Sequence, residues 1–278
     1  MHFTLSVPVV LILCAAAAVS ALAGASSASA LDKSSYVAAV AKTRPTTDCL
    51  PSVMFWCWEK HTDVSGLGRE AGVAILAATV SISGERILAT PRLQPLRIDG
   101  ATPVLPVVRV QTSATTASFL ERHVDEIASL IVRHAAHLRP GLLQIDFDAR
   151  LDERPFYHRL IAAIRRQVGS DCFISMTALA SWCAGDCWEG ELDVDEIVPM
   201  FFSMGNGGEE ALHRVERSRS LSPSAANIAL GVCETQIDFG RRLARLGLVR
   251  GRRVYLFNTH EWSLCNENSC MREVRQWQ

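Results

Sequence analysis

Short apolar runs rich in β-forming residues recur along the chain from Val53 onward. They cover residues 53–58, 73–82, 103–111, 142–148, 173–182, 197–204, 227–234 and 253–259. Their starts are 20, 30, 39, 31, 24, 30 and 26 residues apart, which suits a strand followed by a helix. Between several runs the apolar positions switch to helical spacing. Ser118-Phe119-Leu120-Glu121 reads as a capping box, followed by Val124, Ile127 and Ile131 on one face. Pro155 suits the first turn of another helix, along which Phe156, Leu160, Ile164 and Val168 share a face before Gly169 ends it. Residues 208–219 and 236–246 are shorter, arginine-rich amphipathic stretches. The segment between the first two runs is short and gives the weakest helical pattern.

Eight strands alternating with helices predict an α/β chain folded as a single (β/α)8 TIM barrel over residues 51–278. The competing fold, a doubly wound open sheet, usually carries a glycine-rich phosphate loop after its first strand. Here the first run leads instead into Glu59-Lys60-His61-Thr62.

Composition and charge narrow the partners. The 278 residues are 49% hydrophobic and 21% charged, which excludes a disordered chain. Lys and Arg number 28 against 29 Asp and Glu, for a net charge of −1. No basic excess is available for a phosphate backbone, so nucleic acid is not an expected partner. Residues 1–30 hold no Asp, Glu, Lys or Arg, run apolar from Phe3 to Ala23, and end in Ala28-Ser29-Ala30. That pattern predicts a secretory signal peptide with an A-x-A cleavage site, with residues 31–50 as a polar leader. The mature chain, exported to the periplasm or beyond the cell, then has no membrane span; an uncleaved N-terminal anchor is the alternative. Cleavage leaves eight of nine cysteines, an even number that suggests disulfides in an oxidising compartment. Cys183 with Cys187 and Cys265 with Cys270 could close small loops. The same four could form a zinc site, though their spacings are wider than the usual C-x2-C.

In a barrel of this kind the reacting groups sit at the C-terminal ends of the strands. The fourth run, Gly141-Leu142-Leu143-Gln144-Ile145-Asp146-Phe147-Asp148, places Leu143, Ile145 and Phe147 on one face. That leaves Gln144, Asp146 and Asp148 pointing inward. Carboxylates two residues apart on a strand lie about 6–7 Å apart along it. Confined together, they keep at least one proton to higher pH, as a general acid requires. Other strand ends supply Trp56, Trp58 and Glu59, Arg109 and Gln111, Trp182, Glu234, and Asn258, His260, Glu261 and Trp262. Carboxylates and tryptophans around one mouth suit a sugar, whose rings stack on aromatic faces and whose hydroxyls need fixed polar partners. Asp148 is the candidate acid, Asp146 its tuning neighbour, and Glu234 or Glu59 the second carboxylate. Trp56, Trp58, Glu59, Arg109, Gln144, Trp182, Asn258 and His260 are candidate substrate-binding groups. Asp146, Asp148 and His260 could instead hold a metal, but no H-x-H or H-E-x-x-H motif supports one, and no cofactor is expected.

Gln144-Ile145-Asp146-Phe147-Asp148 resembles the fourth-strand D-x-D-x-E motif of chitinase-like glycoside hydrolases. The resemblance sets Asp146 on the middle acid and Asp148 on the terminal Glu, the proton donor of that family. Gln144 replaces the first Asp. Phe201-Phe202-Ser203-Met204-Gly205 stands where the family has a Tyr-Asp pair. Four stretches are similar to an uncharacterised bacterial family of glycosidase-type barrels. These are Phe55-Trp56-Cys57-Trp58-Glu59, Leu143–Asp148, Thr177-Ala178-Leu179-Ala180-Ser181-Trp182-Cys183 and Asp195–Phe201. The resemblance implies a barrel and a carbohydrate partner. The expected function is a glycoside-hydrolase-like enzyme acting on an envelope or extracellular polysaccharide. The alternative is a catalytically inactive barrel that binds a glycan or a protein partner.

Overall fold

A computed structural model describes residues 50–183, 188, 192–205, 208–221, 228–260, 262 and 264–278, with backbone alone at 264–266. The expected signal peptide and nearly all of the leader lie outside these residues, as do Cys187, the Cys265 side chain and Glu261.

The strands are β1 (Val53–Cys57), β2 (Thr62–Val64), β3 (Gly72–Ser83), β4 (Arg86–Pro91), β5 (Leu96–Ile98), β6 (Val104–Ser113), β7 (Leu142–Asp146), β8 (Phe173–Leu179), β9 (Glu196–Met200), β10 (Leu230–Cys233) and β11 (Val254–Phe257). The helices are α1 (Ala117–Arg122), α2 (Val124–Leu138), α3 (Arg154–Val168), α4 (Ala180–Cys183), α5 (Gly208–Ser218), α6 (Ile237–Arg245) and α7 (Leu264–Trp277). Eight parallel strands form the ring β1-β3-β6-β7-β8-β9-β10-β11, and β1 closes it by pairing with both β3 and β11. The chain is therefore a (β/α)8 barrel, and each apolar run overlaps one of its strands.

The first two crossovers depart from the repeat. Between β1 and β3 lies the short β2, and between β3 and β6 lie β4, antiparallel to β3, and β5, which pairs with β2. Neither crossover contains a helix. The capping box expected at Ser118 is also displaced. Thr116 is the N-cap, its hydroxyl accepting from the Phe119 amide at 3.2 Å, and the helical stretch breaks at His123 between α1 and α2. Pro155 does sit in the first turn of α3, and Gly169 caps that helix with φ +73°, a conformation that suits glycine.

Alternation along the strands sorts side chains into two layers. Leu143, Ile145 and Phe147 pack outward against Ile127 and Ile131 of α2 and Phe156, Leu160 and Ile164 of α3. Each such side chain contributes about 1.5–3 kcal/mol on burial. Met54, Trp56, Leu105, Val107, Phe173, Val198 and Tyr255 fill the barrel interior.

A column of polar groups threads that interior. Trp56 Nε1 donates to Gln144 Oε1 at 2.6 Å, Gln144 Nε2 to Ser175 Oγ at 3.0 Å, and Ser175 Oγ to Glu196 Oε1 at 2.9 Å. Tyr255 Oη also donates to Glu196 Oε1, at 2.7 Å, and Arg253 pairs with Glu196 Oε2. Arg253 donates further to the carbonyls of Leu50 and Pro51 at 3.1 and 2.9 Å. Each side chain of this column thus meets a polar partner, as a dry interior demands. Gly231 belongs to the same construction. A Cβ there would come within 2.9 Å of the Trp56 ring, which is fixed by Gln144 and stacked on Tyr255 at 5.0 Å.

Each of the two expected pairs, Cys183–Cys187 and Cys265–Cys270, includes a cysteine whose side chain lies outside the described residues, and no disulfide is found among those described. Cys57, Cys172, Cys233 and Cys270 are buried free thiols. Burial pushes Cys57 and Cys270 up to about 12 and Cys172 up to about 11, so they stay protonated and inert. No helix among the described residues is long and apolar enough to cross a membrane.

Candidate active site

A cavity of about 310 Å³ opens at the C-terminal ends of the strands. One wall is acidic. Asp146 ends β7 and Asp148 follows it, both on the inward face, as alternation predicts. Asp146 is buried and accepts a hydrogen bond from Thr177 Oγ1 of β8 at 2.8 Å. Arg109 of β6 brings its Nε to 3.6 Å from Asp146 Oδ2. Asp148 stands further out, accessible to solvent.

The opposite wall is aromatic. Trp58, Phe202 and Phe257 line it, with Phe202 and Phe257 stacked at 5.0 Å and an interplanar angle of 5°. The Arg109 guanidinium lies 5.7 Å from the Trp58 ring centre, a cation–π distance, so it touches both walls. Trp58 is placed by its loop. Arg92 donates to the carbonyls of Cys57, Trp58 and Lys60, and Glu59 accepts from the amides of Leu93 and Gln94, both at 2.8 Å. Ser203, at the rim, holds a left-handed backbone with φ +52°, its amide donating to Gln236 Oε1 at 2.9 Å. A serine in that conformation stores backbone strain, which concentrates at functional sites.

Burial is the main reason Asp146 holds its proton up to about 6. The nearby Asp148 adds to the rise, while Arg109 and the Thr177 hydrogen bond oppose it. Crowding by protein also raises Asp148, again against Arg109. Both carboxyls are thus pushed up mainly by loss of water, and the charge of Asp148 adds to the rise of Asp146. The linkage can be measured. Since folding raises the Asp146 pKa, its stability contribution is complete below the unfolded value of about 3.9 and is lost as pH rises through about 6. Asp146→Asn cannot ionise. Its stability relative to the parent should improve by about 3 kcal/mol between pH 3 and pH 8 in urea unfolding. A difference independent of pH would show that the Asp146 carboxyl is not perturbed. The comparison cancels Glu267 of α7, another buried acid raised by desolvation to about 7.

The structure brings Asp146, Asp148, Arg109, Trp58 and Asn258 together at the cavity. Asn258 is buried, and its Oδ1 accepts from the His260 amide at 2.8 Å. The other candidates lie elsewhere. Trp56 and Gln144 are buried beneath the cavity and satisfy each other, so neither offers an atom to a ligand. Trp182 is turned away because β8 ends at Leu179 and the chain coils into α4. It packs outside the barrel against Trp188, with the Arg154 guanidinium 5.9 Å from its ring. Trp262 likewise packs outside, edge-on to Phe55 at 4.8 Å. Glu59 is occupied by its loop. His260 is exposed and outside the lining. Glu234 follows the outward-facing Leu230 and Val232 at alternate positions, and its charge raises the pKa of Cys270 on α7. It does not line the cavity.

Leu179, Met200, Phe202, Ser203, Phe257 and Lys60 complete the lining and were not singled out from the sequence. The signal was available for three of them. Met200 and Phe202 continue the inward face begun by Glu196 and Val198, and Phe257 that begun by Tyr255. Among the described residues, no group of three or more His, Cys, Asp or Glu side chains could hold a metal ion. No protein-family model matches the chain, and neither the curated proteins nor the solved structures searched contain a match.

Proposed function

We propose that the barrel is a glycoside-hydrolase-like enzyme acting on an envelope or extracellular polysaccharide, with Asp148 as general acid. The observation that supports this reading is the facing of the Asp146–Asp148 pair and the aromatic wall across one small cavity. A sugar ring stacked on Phe257, Phe202 or Trp58 would turn an edge toward the carboxyls. Asp148, the more accessible acid, would protonate the glycosidic oxygen. Once ionised it would take a proton from the incoming water. Burial disfavours early loss of that proton, and Arg109 opposes the effect. Both carboxyls come from one strand, so the nucleophile is water or a group of the substrate itself, as in glycosidases that use substrate assistance.

A second reading, a barrel that binds glycans without cleaving them, is favoured by one observation. Among the described residues, no third carboxylate lines the cavity. The test is a screen of the purified protein against bacterial envelope and biofilm polysaccharides, with Asp148→Asn as matched control. Reducing ends released by the parent alone support the enzyme. Equal binding by both without cleavage supports the binding barrel. Absence of both binding and cleavage rejects the carbohydrate reading.

A further inference from the structure

Two barrel strands run well past the rim. β3 and β6 stay paired up to Ser83 and Ser113, whereas β6 pairs with β7 only as far as Arg109 and Asp146. β4 folds back along β3 from the tip. The result is a three-stranded flap standing above the mouth of the cavity. Its two faces differ. Val80, Ile82, Ile87, Ala89 and Val110 point outward and pack into the core shared with α1 and α2. The other face continues the inward face of the barrel upward from Arg109. Register puts Ser81, Leu88 and Gln111 in one row above it, and Ser83, Arg86 and Ser113 in the next. The Ser113 and Ser83 hydroxyls meet at 3.1 Å, which confirms the shared side. Most of these side chains are exposed, and Leu88 is 61% exposed.

We infer that this flap is an extended binding surface for the outer units of an oligosaccharide chain whose reacting end lies in the cavity. The inference rests on the carbohydrate reading above and gives it a substrate class: chains of several units rather than mono- or disaccharides. Three observations carry it. The surface is continuous with the cavity through Arg109, a residue of both. Its polar groups are hydroxyls and an amide, which match sugar hydroxyls in both donor and acceptor roles, together with the Arg86 guanidinium, which donates only, while Leu88 offers an apolar patch for the C–H face of a ring. The outward face is anchored on two helices, so the surface is held in place before a ligand arrives, which lowers the entropic cost of binding. From Arg109 to Ser113 the strand rises about 13 Å, room for more than one hexose.

The experiment is a titration of the full chain with length series of oligosaccharides, dimer to hexamer, prepared from the same bacterial envelope and biofilm polysaccharides as in the screen above, followed by tryptophan fluorescence. For a series that binds, affinity should rise at least tenfold from dimer to hexamer. Ser81→Ala combined with Gln111→Ala should remove most of that gain and leave the dimer unchanged. Leu88→Asp, also at an exposed position, should do the same. Equal affinity for dimer and hexamer overturns the flap proposal and leaves the carbohydrate reading standing. So does a loss that is uniform across lengths in both variants. Binding of no series overturns both.

Discussion

Asp148→Asn is expected to lower the rate of reducing-end release by at least about 100-fold, and by as much as about 10,000-fold, the range typical of a lost general acid. The substitution keeps size and shape but cannot deliver a proton. It should not cost stability, because the raised pKa of Asp148 means that its charge is already disfavoured in the folded protein. Removing that charge also relieves Asp146, whose pKa the neighbouring carboxylate helps to raise. Asp146 should therefore titrate at a lower pH in the variant, and the melting temperature at pH 8 should equal or exceed that of the parent. Retention of more than a tenth of the parent rate would place the acid elsewhere. A slow enzyme that melts early would indicate a structural role for Asp148.

Glu196→Ala is expected to cost about 3–5 kcal/mol in urea unfolding, a large share of the roughly 5–15 kcal/mol that stabilises a typical domain. Glu196 and Arg253 are 3% and 8% exposed. Alanine removes the carboxylate that the buried guanidinium faces. It also takes away the acceptor that the Tyr255 and Ser175 hydroxyls share. A stranded buried charge accounts for most of the cost, and the unpaired hydroxyls and the void add to it. Glu196→Gln keeps an acceptor in place and should fall between parent and Ala variant. A loss below about 1 kcal/mol for Glu196→Ala would mean that water enters the barrel and replaces the pair.

Fold and site were legible to different depths. The eight runs carried the barrel because burial on both faces forces apolar strands at a regular interval. On β7 the alternation was clean, and it separated Asp146 and Asp148 from Leu143, Ile145 and Phe147. Where a run outlasted its strand, parity misled. Trp182 stayed apolar in sequence but belongs to a helical turn, and a turn rotates a side chain to another layer. Gln144 and Trp56 were read as open to ligand because an inward polar group has two fates, solvent or partner, and one strand alone does not say which. Their partners come from β1 and β8, and pairing between strands is not written in local pattern. Of the aromatic wall only Trp58 was anticipated; Phe202 and Phe257 were passed over because they carry no reactive group. Of the two helix-free crossovers, the first was signalled by its short segment and weak helical pattern, and the second was hidden by an ordinary spacing between runs.

The polar column under the cavity bears on how this protein could change its ligand. Trp56, Gln144, Ser175, Glu196, Tyr255 and Arg253 lock one another from the floor down. An alteration at any one of them strands a neighbour, so the floor is poor ground for variation. Lys60, Leu179 and Ser203 edge the same cavity without belonging to that column. New specificities, in evolution or in a selection experiment, should therefore accumulate at the rim while the interior stays unchanged, so that the barrel explores chemistry from its mouth and keeps its foundation out of play.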